Sequence, residues 1–235
     1  MAREARLYDR KFYRELEETR DSARELLPIV LDLLKPASIV DIGCGAGHWL
    51  AVAAELGVTG VLGIDGDWVL KTQLAIPRDK FLVHDLQTPL KLERKFDLAL
   101  SLEVAEHLPE SQAREFVRTL CGAADCVLFS AAIPGQGGRH HVNEQWPAYW
   151  AALFAGFGFD CYDVLRPRIW TNPRVLWYYA QNCLIFARAG AAPGLGVPAQ
   201  PLPLVHPTLW SAQIKRMNSP AKLLEQLPKA LKKLM

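Results

Sequence analysis

A short apolar strand that breaks into alternating glycines is the segment best suited to binding a ligand. The run Ile39–Trp49 places Gly43, Gly45 and Gly47 shortly after an acidic residue, Asp41. Alternating glycines remove the Cβ atoms that would keep a ligand off the backbone, and the helix predicted to follow offers unpaired N–H groups. The dinucleotide fingerprint differs, because it has two residues before its third glycine. The pattern predicts a site for a flat, polar ligand.

Carboxylates follow the next predicted strands in the same way. Asp65 ends the second strand. Asp85 and Leu86 follow the third strand, and Glu103 follows the fourth. A carboxylate at the end of strand two can accept both hydroxyls of a ribose, so an acid suits this position better than an amide or amine. The polar residues therefore recur at successive strand ends.

This ordered set resembles class I S-adenosylmethionine-dependent methyltransferases, whose first motif is an acidic residue, an apolar residue and Gly-x-Gly-x-Gly. The resemblance implies S-adenosyl-L-methionine as the cofactor and a seventh strand antiparallel beside the fifth and sixth. It also implies that Asp85 holds the adenine amino group. The residues expected to bind the cofactor are Asp41, Gly43, Gly45, Gly47, Asp65, Asp85, Leu86 and Glu103.

The segment after the fourth strand carries a histidine suited to proton transfer. It reads Glu-Val-Ala-Glu-His from Glu103 to His107. A similar run lies beside the methyl donor in ubiquinone-biosynthesis-type O-methyltransferases, which this segment resembles. Imidazole can take a proton from an attacking hydroxyl near neutral pH. His107 is therefore one candidate base, and capping of the loop before Pro109 is its alternative role.

The loop after the fifth strand is the second candidate for the acceptor site. Residues 131–146 are rich in glycine and in polar side chains that packing does not require. Together with the Glu-Val-Ala-Glu-His run, the loop resembles a bacterial group of class I methyltransferases associated with glycan and natural-product gene clusters, over about residues 10–188. The single histidine of that group aligns with His141. The candidate base is His141, and the expected substrate contacts are His140, Asn143, Glu144, Gln145 and Trp146.

Three alternatives at this loop stay open. The additional His140 leaves undecided which ring faces the substrate. Trp146 or Trp150 can stack on a sugar face, or these rings belong to the core. Asn143 can instead cap the helix that opens at Trp146-Pro147.

Charged side chains elsewhere extend the predicted acceptor site. Arg168, with Arg166 and Trp170, follows the sixth predicted strand and can hold a phosphate or carboxylate, unless these are solvated loop residues. No metal ligand is assigned. A variant in which Glu103 and Glu144 hold Mg²⁺ against a diol is secondary, because no tight acidic cluster supports it.

Alternating strands and helices must position these residues. The pattern from 37 to 132 predicts a doubly wound α/β fold with a seven-stranded, mostly parallel, Rossmann-like sheet and helices on both faces. Strand four is expected over 96–102, a helix at about 146–156, a sixth strand at about 160–165 and the last strand over 183–187.

Four segments are predicted along the chain. An N-terminal helical cap, 1–36, is expected to act as a lid on the cofactor site, with Tyr8, Phe12 and Tyr13 as aromatic contacts or as anchors to the core. The methyltransferase domain spans 37–189. A tether, 190–207, contains five prolines and is expected to run extended over the surface. A basic amphipathic tail follows at 208–235.

Charge and composition limit the partners. The tail has six basic residues and one acidic residue, so it can make weak contact with an anionic membrane surface, or simply pack on protein. A net charge of +2 over the chain gives no field to attract nucleic acid. Five widely spaced cysteines predict buried free thiols in a reducing compartment, and no secretory signal or spanning segment is recognised. A cytoplasmic protein is expected, with a membrane-peripheral location as the alternative if the tail contacts a membrane, and the oligomeric state is left open.

Three functions fit these residues. The first is an S-adenosylmethionine-dependent O-methyltransferase acting on a sugar or glycan precursor, including one that is nucleotide-linked or lipid-linked. The second is a methyltransferase of an aromatic, polyketide-like or amine metabolite, favoured if tryptophans line the mouth. The third is a non-catalytic module that serves a synthase complex.

Overall fold

A seven-stranded sheet forms the centre of the protein. The computed structural model describes the backbone of residues 10–71 and 74–219 and the side chains of 18–69 and 74–219. The sheet order is β3-β2-β1-β4-β5-β7-β6, and β7 runs antiparallel to β5 and β6 while the other pairs are parallel. The strands are β1 (Ser38–Ile42), β2 (Gly60–Asp65), β3 (Phe81–Val83), β4 (Leu98–Leu102), β5 (Cys126–Ser130), β6 (Phe159–Tyr162) and β7 (Leu184–Arg188). The predicted fold class is confirmed.

Helices cover both faces of this sheet. Those described are α1 (Arg10–Leu34), α2 (His48–Glu55), α3 (Glu110–Ala123), α4 (Pro147–Ala155), α5 (Arg166–Ile169), α6 (Trp177–Asn182) and α7 (Pro207–Met217). Residues of α1, α2 and α6 share one hydrophobic cluster, and those of α3 and α4 share another. Leu98 and Leu100 of β4 join the first cluster and Ala99 joins the second, because side chains alternate across a strand. The central strands are therefore buried on both faces.

The strand order reverses at β1, which lies between β2 and β4. In open α/β sheets a crevice forms at the carboxyl ends of the strands on either side of such a reversal. The loop that contains Gly43, Gly45 and Gly47, called here the glycine loop, follows β1 at this point. The fold thus places the predicted ligand loop at the usual ligand site.

The N-terminal segment forms one helix over the described residues. Ala23, Leu26, Leu27 and Val30 of α1 are fully buried, at the spacing of one helical face. Tyr8 and the side chains of Phe12 and Tyr13 lie outside the described residues. The lid and its aromatic contacts therefore stay a prediction.

Most residues of the predicted tether, 190–207, are exposed, as expected for a segment on the surface, and a few of them are packed. Leu195 is buried within a short 3-10 turn, and the amide of Ala199 donates to the carbonyl of Cys161 at 2.9 Å. The chain divides into two compact units, Met1–Pro203 and Leu204–Met235. In the second unit, the Nδ1 atom of His206 accepts the amide of Thr208 at the start of α7.

Other expectations are met or corrected locally. All five cysteines are buried free thiols, as predicted. Strand β6 ends at Tyr162 rather than at 165, and Asp163 just beyond it accepts a hydrogen bond from Arg166 Nε at 2.8 Å. Within the part of the chain described here, no helix has both the length and the hydropathy to cross a membrane.

Candidate active site

The glycine loop after β1 is held in a conformation that favours glycine. Gly43, Gly45 and Gly47 have φ angles of 90°, 52° and 85°. A Cβ atom on Gly43 would collide with Val104, whereas one on Gly45 would meet no protein atom within 4 Å. The space beside Gly45 belongs to a cavity. The loop therefore leaves its backbone open to a ligand at Gly45.

Asp65 at the end of β2 organises this loop. Its Oδ2 atom accepts the amide of Gly45, and its Oδ1 atom accepts the amide of Gly66, each at 2.7 Å. Burial raises the pKa of Asp65, and these two amides partly offset the rise. Each carboxylate oxygen accepts more than one hydrogen bond, so capacity remains for the predicted ribose hydroxyls.

A cavity of about 930 Å³ lies above the carboxyl ends of β1 to β4. Eight of its lining residues were predicted from the sequence. They are Gly43, Gly45, Asp65, Asp85, Leu86, Glu103, His107 and His140. The structure therefore brings most of the predicted cofactor residues together with two of the predicted histidines.

A smaller cavity of about 190 Å³ adjoins the same loop, since Gly43 and Gly45 line both. Asp41, Thr19 of α1 and Tyr179 of α6 also line it. Burial, and secondarily the charge of Asp65, raise the pKa of Asp41 well above its usual value. Gly47, at the start of α2, lines neither cavity and instead packs against Ile76.

Glu103 is the centre of a buried hydrogen-bond network. Its backbone is left-handed, with a φ of 56°. Its carboxylate accepts Gln136 Nε2 at 2.7 Å and Asn182 Nδ2 at 3.0 Å, and its amide donates to Ser130 Oγ. Burial raises the pKa of Glu103 despite these donors. The network connects β4, the loop after β5 and α6 at the edge of the large cavity.

Glu106, His107 and His141 form a second polar group next to it. Glu106 is fully buried, and neither of its carboxylate oxygens makes a hydrogen bond of standard geometry, although the amides of Glu106 and Ala132 lie near enough to favour its charge. Burial, reinforced by Glu103, raises the pKa of Glu106 to about 9. The two imidazole rings meet edge to face, with centroids 4.9 Å apart. Burial, and then His141, lower the pKa of His107.

The loop after β5 fixes the ring of His141. Its Nδ1 atom lies 2.9 Å from Oε1 of Glu144, and Glu144 accepts the amides of Gly135 and Gly137 at 2.8 and 2.7 Å. Burial opposes ionisation of Glu144, but His141 and the two amides outweigh it, so the pKa of Glu144 is lowered. The ring lies so close to Gly138 that a Cβ there would overlap it. His141 thus points into the polar group, while His140, with a φ of 60°, lines the cavity.

The other loop residues hold the loop itself. Asn143 is buried, its amide donates to the carbonyl of Glu106, and its Oδ1 atom accepts Gln145 Nε2. Asn143 does not cap α4, whose N-cap residue is Trp146 without a side-chain cap. Trp146 is partly exposed, whereas Trp150 is buried and packs against Phe129, so stacking of Trp150 on a sugar is wrong.

The predicted arginine site is not found at the cavity. Arg166 is buried, pairs with Asp163 and donates to the carbonyls of Gln181 and Leu202. Arg168 is exposed on α5, beyond the edge strand β6, and lies outside the set of described residues that line the large cavity. Arg166 therefore supports the fold, and Arg168 is four strands away from β1.

Sequence reasoning missed several residues of the site. Arg139, in the loop after β5, lines the large cavity. Trp68, three residues after Asp65, lines the same cavity and has an exposed ring. The available signal was that Trp68 lies three residues after Asp65, the acid predicted to bind ribose. Gln136 and Asn182 carried none, because their role depends on contacts with Glu103 over long sequence separations.

A set of ligating groups also emerges that the sequence did not combine. Among the side chains described, Glu106, His107 and His141 each offer one possible ligand atom, and these atoms all lie within 4.8 Å of one another. Glu103 and Glu144, the pair considered from the sequence, have separate partners here, amide side chains for Glu103 and His141 for Glu144, and their joint binding of Mg²⁺ stays a prediction.

Comparisons with known proteins agree with this geometry. A ubiquinone biosynthesis O-methyltransferase of Methylobacterium nodulans is 32% identical over 97 residues, which is 38% of this chain and 37% of that protein. A sphingolipid C9-methyltransferase of Candida albicans is 31% identical over 106 residues, covering 40% of this chain and 20% of that protein. The chain thus spans 37% of the length of the first relative and 20% of the length of the second.

A solved structure supports the fold. Magnesium protoporphyrin IX methyltransferase from Synechocystis PCC 6803, with bound S-adenosylhomocysteine, superposes with a TM-score of 0.50 and 21% identity, over 75% of this chain and 85% of that one. Residues 10–122 match the family described as a methyltransferase domain. This match spans a little under half of the chain, and with the glycine loop, Asp65 and the sheet order it supports a class I S-adenosylmethionine-dependent methyltransferase.

Proposed function

We propose that this protein transfers the methyl group of S-adenosyl-L-methionine to a hydroxyl of a sugar or glycan precursor. The observation that carries the proposal is the continuity of the large cavity. Gly45 and Asp65 lie at one end of it, and His107, Arg139 and His140 line the same space. Its volume, about 930 Å³, is near the upper end of the roughly 300–1,000 Å³ typical of small-molecule sites. Donor and acceptor can therefore share it.

The donor end suits a nucleoside. Asp65 would accept the ribose hydroxyls, and the free oxygen of Asp85 would accept the adenine amino group, since its Oδ1 atom already takes the amide of Gln87. Trp68 and Leu86 offer apolar surface for the adenine ring. The methionine part would then extend past Gly43 toward Asp41.

The chemistry requires positioning and the removal of one proton. The acceptor oxygen attacks the methyl carbon, the bond from that carbon to sulfur breaks, and sulfur keeps the electron pair as S-adenosylhomocysteine leaves. The proton of the hydroxyl passes to His141 or His107. General-base catalysis of this kind typically contributes about 10²–10⁴-fold.

The acceptor end suits a polar molecule that carries an anionic group. Arg139 and His140 are exposed in the cavity wall, and an arginine binds phosphate through two parallel hydrogen bonds. A nucleotide-linked or lipid-linked sugar provides such a phosphate together with free hydroxyls. Arg139 takes the role that the sequence suggested for Arg168.

The test is a transfer assay with methyl-labelled donor against nucleotide-sugars, simple phenols and amines. Labelling of nucleotide-sugars alone is expected. Labelling of phenols or amines alone would support the aromatic or amine alternative. Donor binding without transfer to any class would support the non-catalytic alternative.

A matched pair of variants tests the role of the anion. Arg139→Gln should raise KM for a phosphorylated acceptor about tenfold or more, because a charge-assisted hydrogen bond contributes about 1.5–3 kcal/mol. Arg168→Gln removes an equally exposed charge away from the cavity and should leave KM unchanged. Equal effects of the two changes would contradict a phosphate site at Arg139.

A further inference from the structure

Helix α7 presents an apolar face to solvent. Trp210, Ile214 and Met217 occupy one side of this helix, because residues three and four apart are neighbours on a helix surface. Trp210 is 58% exposed and Met217 is 50% exposed, and Ile214 is partly exposed. The proposed reaction uses none of these side chains. We propose that α7 binds the surface of an anionic membrane through this apolar face.

The first argument is that the chain itself fixes the start of α7. The Nδ1 atom of His206 accepts the amide of Thr208 at 3.2 Å, and Pro207 occupies the first turn. Proline suits this position because its fixed φ is already helical. A helix that is formed before binding loses less conformational entropy on binding than a disordered segment does. The apolar face is therefore a ready-made surface.

The second argument is charge. Lys215 and Arg216 are exposed in the last turn of α7. Six basic residues and one acidic residue lie in 206–235, whereas the rest of the chain has three more acidic than basic residues. Positive charge is thus concentrated in this segment, although the whole chain carries only +2. An anionic lipid surface attracts each lysine or arginine that comes near it.

The third argument is the composition of the segment, which favours a membrane over a second copy of the chain. Five of its six basic residues are lysines. Lysine is depleted in protein–protein interfaces, whereas helices that lie on membranes combine lysine or arginine with tryptophan on the opposite face. Tryptophan rings are also enriched at the level of the lipid headgroups. A lipid surface therefore suits both Trp210 and the charge.

The membrane-binding face also bears on the choice of acceptor, and this consequence rests on the proposed function, although the face itself does not. Binding at a membrane raises the effective concentration of a lipid-linked acceptor. This effect lowers KM for that acceptor without changing the chemical step. Of the two phosphate-bearing acceptors proposed above, the face of α7 thus favours the lipid-linked sugar.

The experiment measures partition of the full chain onto vesicles by flotation, in the absence of donor and acceptor. One vesicle contains phosphatidylcholine and phosphatidylglycerol at about two to one, and the other contains phosphatidylcholine alone. We expect binding to the anionic vesicle only, and weaker binding as the salt concentration rises.

Two variants of α7 test the two parts of the surface. Lys215→Gln/Arg216→Gln should lower the partition coefficient about 25-fold, because each charge contributes about fivefold near an anionic membrane. Trp210→Ala should lower it at least about tenfold, since roughly 100 Å² of apolar surface would no longer leave water. The altered side chains are exposed, so melting curves should match those of the wild type. If Trp210→Ala does not fold, the charge variant decides.

Matched controls remove similar side chains from the first unit. Lys91→Gln/Arg168→Gln removes two exposed charges, and Leu56→Ala removes an apolar side chain that is 45% exposed. Both should bind the anionic vesicle as the wild type does. Equal losses in the controls, wild-type binding by both α7 variants, or equal binding to the two vesicles would overturn the proposal. Failure of the wild type to bind would also overturn it, and a dimer that Trp210→Ala dissociates would then assign the face to a second copy.

Separate outcomes distinguish the membrane-binding face from the proposed function. Vesicle binding without methylation of any sugar leaves the face intact and removes the proposed function. With a lipid-linked sugar in anionic vesicles, Trp210→Ala should raise KM and leave kcat unchanged, while its kinetics on a soluble acceptor should match those of the wild type. Equal KM values of the two proteins for the lipid-linked sugar would overturn delivery of the acceptor by the membrane.

Discussion

Replacing Asp65 tests the donor site most directly. Asp65→Ala removes the carboxylate that accepts the amides of Gly45 and Gly66 at 2.7 Å and that would accept the two ribose hydroxyls. Hydrogen bonds to a charged group contribute about 1.5–3 kcal/mol each. Two of them amount to about 3 kcal/mol or more, and 1.4 kcal/mol is tenfold in Kd. We expect the Kd for S-adenosylhomocysteine to rise about 100-fold.

Calorimetry on the donor-free protein measures this change. Asp67→Ala is the matched control, because Asp67 lines the same cavity but is exposed and two residues farther along. Its Kd should stay close to that of the wild type. Equal affinities of Asp65→Ala and wild type would refute the reasoning, as would an equal loss in Asp67→Ala. If the wild-type protein binds neither form of the cofactor at millimolar concentration, the donor site itself is wrong.

Three further outcomes follow from the same structure. His141→Ala should lower turnover by about 100-fold or more with donor affinity nearly unchanged, and His140→Ala should lower it less, as steady-state kinetics can measure. Arg166→Met should lower the free energy of unfolding by about 3–5 kcal/mol, because it leaves a carboxylate unpaired, whereas the exposed Arg168→Met should change it by less than about 0.5 kcal/mol in urea denaturation. Deleting residues 206–235 should abolish salt-sensitive binding to anionic vesicles and leave turnover of a soluble acceptor intact; equal vesicle binding by both forms would reject a membrane role for the tail.

The sheet and the donor loop could be predicted because their signals are local. Strand β2 ends at the predicted Asp65, and β7 lies within one residue of its predicted bounds, 183–187, since each is a short apolar run bounded by turn residues. The glycines after β1 could be assigned for the same reason, because glycine permits the positive φ angles of 90°, 52° and 85° that this turn adopts. Register then brings Asp65 and Asp85 to one edge.

The acceptor side could not be predicted as well, because a loop's path depends on contacts that sequence spacing does not encode. Arg166 and Arg168 are two residues apart, yet one is buried against Asp163 and the other faces solvent on α5. Arg139 was overlooked, although the cavity exposes it beside His140. The abundance of polar residues therefore identified the loop after β5 as a candidate, but it did not identify which side chains of the loop line the cavity.

Glu103 and Glu106 show most clearly which contacts the sequence alone does not reveal. In the sequence they are two similar acids in one short run. The turn between them points Glu103 toward Gln136 and Asn182, which satisfy its oxygens, and buries Glu106 among His107 and His141, which leave its oxygens unpaired. The same residue type thus becomes a structural anchor at one position and a group that needs a proton or a cation at the other. That contrast comes from the path of the turn between the two residues, which the motif itself does not reveal.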